Sequence, residues 1–163
     1  LSLHDARPIL TAFNMERLHN CAVSLGGMMA AFDEASAHVQ QRIVFGRPVI
    51  EFQSVYHMLA DISVTIEAHR LLSHHAAATA NDGRYPRMKE VTMAKLFGGT
   101  RIPQVTLQCL EMMGGVGVTK AVVTERLHRE AVTNVVAGGA PAVLRNSIAA
   151  ALFPDRRFPQ TRG

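Results

Sequence analysis

From Glu16 onward the apolar side chains Leu18, Leu25, Met28, Met29, Phe32, Val39 and Ile43 recur near steps of three, four and seven. That spacing predicts a helix over Glu16 to Arg42 with one stripe turned to a core, and Gly46 and Pro48 punctuate its end. A second stripe, Phe52, Val55, Leu59, Ile62, Ile66 and Leu72, predicts another helix that stops near the turn tripeptide Asn81-Asp82-Gly83. A third run, about Arg87 to Met113, carries Gly98-Gly99 and Pro103 inside it. An internal proline removes a backbone donor and kinks a helix, so the straightness of this one is in question. A short helix is expected near Thr124 to Glu130, and a last one from Pro141, a good first-turn residue, to Leu152. No strand-like alternation of useful length appears. The pattern predicts an all-α fold, an antiparallel four-helix-type bundle of three long helices and a shorter fourth.

Composition narrows this picture without changing it. The 163 residues suit one domain, and 48% hydrophobic with 18% charged residues marks a globular chain. No uncharged apolar run approaches the roughly 18 residues of a membrane span. Residues 1–12 read as an N-terminal extension without a signal peptide's apolar stretch, and residues 154–163 as a basic tail. Cys21 and Cys109 sit in apolar helical sequence and read as buried, reduced thiols of a cytoplasmic protein. The net charge of +4 is scattered along the chain, so nucleic acid is not an expected partner. There is no P-loop, no paired CxxC and no G-x-S-x-G elbow.

Two segments carry more information. Arg42-Ile43-Val44-Phe45-Gly46-Arg47-Pro48, running on to Phe52-Gln53, closes the first helix with a cation, an aromatic ring and a chain break. About seventy residues later, Glu111-Met112-Met113-Gly114-Gly115-Val116-Gly117 ends the third helical run and bares the backbone for a close approach. In this order and spacing, with Met58-Leu59-Ala60-Asp61, Ala94-Lys95-Leu96-Phe97 and Glu125-Arg126-Leu127-His128-Arg129-Glu130-Ala131, they resemble the C-terminal helical domain of the acyl-CoA dehydrogenases. These are flavoproteins that desaturate acyl-CoA thioesters. The resemblance covers about Phe13 to Phe153, so residues 13–153 are expected to form that domain.

The resemblance implies FAD as cofactor, an acyl-CoA substrate, an electron-transfer flavoprotein as redox partner and a homodimer or homotetramer. It implies that Arg42, Phe45 and Gln53 reach the flavin of a neighbouring subunit, with Glu111, Gly114 and Gly115 at its adenosine-diphosphate end. Glu111 stands where the family usually has glutamine, which brings a carboxylate near phosphate; the two glycines are the firmer assignment. A moderately basic surface suits polyanions such as FAD and coenzyme A. It further implies N-terminal helical and middle β-domains that help enclose the ligands, so the chain alone is not expected to catalyse.

One family residue is missing. Many members carry the catalytic base, a glutamate, on the loop before the last helix, within Tyr-Glu-Gly-Thr. Here that loop reads Val136-Ala137-Gly138-Gly139, and alanine cannot accept a proton. Gly139, in place of threonine, also loses a hydroxyl contact to the flavin. A silent relative, a damaged or chimeric fragment and a relocated base all fit. The isovaleryl- and long-chain-type branches place the glutamate early on the domain's first helix, and Asn14-Met15-Glu16-Arg17-Leu18 resembles that segment. It implies Glu16 as the base, with Asn14 and Arg17 at the substrate.

Two other classes compete. One is a non-catalytic helical assembly or binding module derived from this family. The other is a di-iron carboxylate bundle, because Glu16-x-x-His19 and Glu125-x-x-His128 are two Glu-x-x-His units, with Glu67 and Glu90 or Glu111 as further ligands. Ordinary surface pairs have the same spacing, and the expectation is that no metal binds.

Overall fold

A computed structural model describes residues 3–80 and 85–158, with side chains from residue 11. Five helices follow in order: α1 (Leu3–Gln41), α2 (Gln53–Ala78), α3 (Met88–Met113), α4 (Val123–Val136) and α5 (Pro141–Leu152). A two-stranded hairpin, β1 (Ile43–Val44) with β2 (Arg47–Pro48), sits between α1 and α2. The architecture is an all-α bundle in which α3 is the central helix, packing on α1, α2, α4 and α5. The Asn81-Asp82-Gly83 turn lies outside the described residues. No single helix among them is long and apolar enough to cross a membrane.

Three helices contribute most of the core. Met28, Ala31, Ala35 and Val39 of α1 meet Ile62 and Ile66 of α2 and Ile102, Val105, Cys109 and Met112 of α3. The small residues of α1 let it lie close to α3. Ile43, expected on the α1 stripe, is instead 55% exposed, because the helix has ended at Gln41 and the residue sits in β1. Both cysteines are buried and free, and burial raises the Cys21 thiol to about 11 and the Cys109 thiol to about 12.

The helix bounds differ from the sequence pattern in two places. First, α1 starts at Leu3 rather than near Glu16. Its described early turns are mostly exposed, but buried Asn14 donates from Nδ2 to the Pro86 carbonyl at 3.3 Å, tying α1 to the lead-in of α3. Second, α4 runs to Val136 despite the poor helix formers Val132, Thr133, Asn134 and Val135. Tertiary contacts outweigh propensity here, for Thr124, Ala131 and Asn134 form a buried face. The bounds of α3 match the expected run, and the helix continues past Pro103.

The paired glycines of α3 have a packing reason. A Cβ on Gly98 would overlap the imidazole of His69, and one on Gly99 would sit 2.6 Å from Lys95 Nζ. Both polar side chains are fully buried, so the glycines make room for ionisable groups inside the bundle.

At the far end of the core, Glu34 of α1 caps α4. Its carboxylate accepts from the amides of Val123 (3.0 Å) and Thr124 (2.8 Å) and from the Thr124 hydroxyl (2.7 Å). Those amides have no acceptor within their own helix. Burial pushes this carboxyl up, but the three hydrogen bonds together hold it below the ordinary glutamate value.

Candidate functional site

The loop after α4 is the first place where expected residues meet. The Ala137 and Gly139 amides close it by donating hydrogen bonds to Thr133 O and Val136 O, both 3.1 Å. Gly138 and Gly139 have φ of 71° and 126°, values open to glycine and strained for other residues. Arg17 of α1 reaches across, donating from Nε to the Gly138 carbonyl at 3.1 Å and from Nη1 to Thr92 Oγ1 at 3.2 Å. The α1 turn that bears Glu16 therefore lies against the Ala137 loop. Glu16 itself is exposed, and Asn14 is committed to Pro86. Burial lowers the Arg17 pKa, against the opposing charge of Glu16.

Behind this loop lies a polar network that the motifs did not reveal. Lys95 is fully buried and donates to the Asn134 carbonyl at 2.6 Å. Asn134 donates from Nδ2 to Ser24 Oγ at 2.6 Å, and Ser24 donates to the Asn20 carbonyl at 2.7 Å. A Cβ on Gly138 would lie 2.8 Å from Asn20 Nδ2 and 3.7 Å from Lys95 Cε, so loop and network touch. Burial lowers the pKa of Lys95; nearby Cys21 opposes that, Arg17 adds to it and Glu16 opposes it. His69 is also buried, 3.0 Å from the Cys21 carbonyl through Nε2 and stacked on Phe97. Its pKa falls, by burial first, with the Cys21 carbonyl opposing and Lys95 reinforcing. A helical wheel carries the signal: Lys95 falls among Val91, Ala94, Gly98 and Ile102, and His69 among Ile62, Ile66, Ser73 and Ala76, on buried faces.

The second place is the hairpin. Phe45 and Gly46 form its two-residue turn with φ of 52° and 79°. Turns of this kind need positive φ at both positions, which usually selects Asn-Gly. A phenylalanine there costs about 1 kcal/mol or more of strain, and its ring is 92% exposed. Phe45 also meets Phe52 edge to face at 6.5 Å, while Arg47 covers Phe52 at 4.1 Å. Arg42 and Gln53 are exposed on either side of this unit, and Arg42 has no ion pair among the described residues. The structure thus brings Arg42, Phe45 and Gln53 into one exposed corner.

Glu111, Gly114 and Gly115 are also exposed, at the end of α3. Gly114 takes φ of 63°, and its amide closes the helix on the Glu111 and Leu110 carbonyls. Around the Cβ positions of Gly114 and Gly115 there is open space. No hydrogen bond, ion pair or ring contact among the described residues joins this turn to the hairpin corner.

The would-be metal ligands are dispersed. Glu125 holds Arg129 at 2.6 Å, His128 Nδ1 meets Thr106 Oγ1 at 2.9 Å, and Glu67 holds Arg70 at 3.0 Å. Among the described residues no three His, Cys, Asp or Glu side chains gather to hold a metal ion.

With this geometry in view, the comparisons agree with one another. The profile described as "Acyl-CoA dehydrogenase, C-terminal domain" matches residues 6–153, starting inside the segment expected to be an extension. The chain belongs to the acyl-CoA dehydrogenase family, as its C-terminal domain. It is 35% identical over 155 residues to the 3-sulfinopropanoyl-CoA desulfinase of Cupriavidus necator, covering 95% of this chain and 38% of that protein. Against the mitochondrial short/branched chain specific acyl-CoA dehydrogenase of Bos taurus it is 34% identical, covering 90% of this chain and 34% of the relative. The structure of butyryl-CoA dehydrogenase from Megasphaera elsdenii superposes with a TM-score of 0.84 at 28% identity, over 88% of this chain and 37% of that one. The chain thus spans little more than a third of the length of these relatives.

Proposed function

We propose that this domain serves an FAD-dependent acyl-CoA dehydrogenase that desaturates an acyl-CoA thioester between its α and β carbons. Glu16 takes the role that the loop residue 137 cannot. One observation carries the reading: Arg17, adjacent to Glu16, is bonded to Gly138 at 3.1 Å, which sets the carboxylate-bearing turn of α1 against the loop where the family's base resides. A carboxylate moved from loop to helix can serve the same proton if its position and shielding are right. Glu16 is exposed in this chain, so its shielding has to come from bound substrate and from other parts of the protein.

The hairpin corner fits the flavin. A free guanidinium at Arg42 suits a phosphate, and Gln53 suits a ribose or adenine edge. Phe45 supplies an exposed ring held in a strained turn, and Gly114 and Gly115 leave room for a bulky group at their backbone. Bound FAD would supply the hydride acceptor; the chain's own residues hold it, orient the thioester and take the α-proton. Since no hydrogen bond, ion pair or ring contact among the described residues joins the hairpin to the glycine turn, we infer that they complete sites across an interface, in a homodimer or homotetramer. An electron-transfer flavoprotein as electron acceptor and a cytoplasmic location belong to the same reading.

A second reading keeps the CoA thioester and changes the reaction. The resemblance to a 3-sulfinopropanoyl-CoA desulfinase, together with a loop that holds no ionisable group, favours carbon–sulfur cleavage without desaturation. One experiment separates the two. The intact protein is purified, its visible spectrum recorded, and acyl-CoA thioesters and 3-sulfinopropanoyl-CoA are added without oxygen. Bleaching of flavin bands by an acyl-CoA supports desaturation. Sulfite release with the flavin unchanged supports desulfination. A colourless protein inert to both leaves a non-catalytic module.

A further inference from the structure

We propose that Lys95 is a positioning residue that holds the Ala137–Gly139 loop in place through the last turn of α4. Its side chain is fully buried, and no carboxylate pairs with it among the described residues. The Lys95 ammonium instead donates to the Asn134 carbonyl at 2.6 Å. Asn134 lies in the final turn of α4 (Val123–Val136), where carbonyls lack helical donors and the helix dipole presents its negative end. Lys95 is therefore a C-terminal cap delivered from a different helix, at the point where the chain leaves α4 for the loop.

The same side chain also borders the loop, for Lys95 Cε is 3.7 Å from the Cβ position of Gly138. Arg17 holds that residue's carbonyl from the other side, at 3.1 Å. The loop is thus fixed by two cations from α1 and α3. A glycine one turn after Lys95 makes the arrangement possible, since a Cβ at Gly99 would sit 2.6 Å from Nζ and 3.1 Å from the Asn134 carbonyl. Loop placement matters to the reading above, on which the kinetic half of this inference rests: with Ala137 in the loop and the acid on α1, the loop's contribution is shape.

The alternative is that Lys95 only stabilises α4, and Glu34 provides the control because it caps the opposite end of the same helix. In the intact protein, hydrogen exchange of the Ala137 and Gly139 amides is compared among wild type, Lys95→Met and Glu34→Gln. Lys95→Met should speed exchange of these two amides about tenfold or more, and Glu34→Gln should leave them within a factor of about two. Gly99→Ala, which crowds the ammonium off Asn134, should reproduce the Lys95→Met pattern and stands in if that variant does not fold. Equal loosening in the Lys95 and Glu34 variants, or none in either Lys95→Met or Gly99→Ala, overturns the proposal. With a thioester that bleaches the flavin, Lys95→Met should lower kcat about tenfold at unchanged flavin content, and Glu34→Gln should not. A loosened loop with unchanged kcat would confirm Lys95's hold on the loop and remove the loop from the reacting centre.

Discussion

The loop beside Arg17 and Lys95 and the hairpin at Phe45 satisfy their polar and strained groups in opposite ways. At the loop, every long cation is spent inside the chain: Arg17 on Gly138 and Thr92, Lys95 on Asn134. At the hairpin, an aromatic ring occupies a costly left-handed position and faces solvent, next to Arg42, which has no ion pair among the described residues. Strain and exposure together are retained where something outside the chain repays them. Burial, better than residue type, separates the cations held by the fold from the groups left open to an outside contact.

The largest effect should come from the buried side. Gly98→Ala places a methyl group in the buried His69 ring, whose Nε2 lies 3.0 Å from the Cys21 carbonyl. Overpacking of this kind should cost about 3 kcal/mol or more, read as a lower denaturant midpoint. A tolerated alanine would show that the His69 pocket is looser than its burial implies. On the open side, Arg42→Ala should leave unfolding free energy within about 0.5 kcal/mol. Flavin retention in the intact protein should nonetheless weaken by roughly 1.5–3 kcal/mol, the worth of a charge-assisted phosphate contact. Flavin titration of the apoprotein measures this, and unchanged affinity would move the cofactor elsewhere.

Glu34→Gln should destabilise the chain by about 1–2 kcal/mol, because the α4 amides lose a charged acceptor. The sign of its pH dependence follows from a depressed folded pKa. The contribution is fully present above the ordinary carboxylate value and fades as pH falls through the lower folded value. Wild type and variant should thus converge in stability at low pH, and parallel curves would contradict the cap. The smallest effect is also the most telling for the comparison. Phe45→Gly should raise the stability of the chain by up to about 1 kcal/mol by removing turn strain, while weakening flavin binding or subunit association. Loss of stability would mean that the ring serves the fold.

Much of the fold was legible because two apolar stripes of helical period fix the first two helices. Ile62, Ile66, Met28 and Val39 all reached the core where the spacing put them. The end of α4 was not legible, since Val132 to Val136 are poor helix formers and the contacts of buried Asn134 with Ser24 and Lys95 join residues distant in sequence. Glu34 gave no signal at all, because its partners lie 89 and 90 residues away. Of the site, Arg42, Phe45 and Gln53 were legible as a motif, but not that Phe45 takes φ of 52°. Lys95 lies within the Ala94-Lys95-Leu96-Phe97 motif, and the helical period, rather than the motif, places it on the buried face of α3.

The central claim is that the proton-abstracting carboxylate sits on α1 beside a loop that has lost its own. Rapid mixing of the intact Glu16→Gln protein with a thioester that bleaches the wild-type flavin tests it most directly. Flavin content should match wild type and the bleaching rate should fall by about 10²- to 10⁴-fold, the usual worth of a general base. A variant that reduces its flavin at near wild-type rates would contradict it.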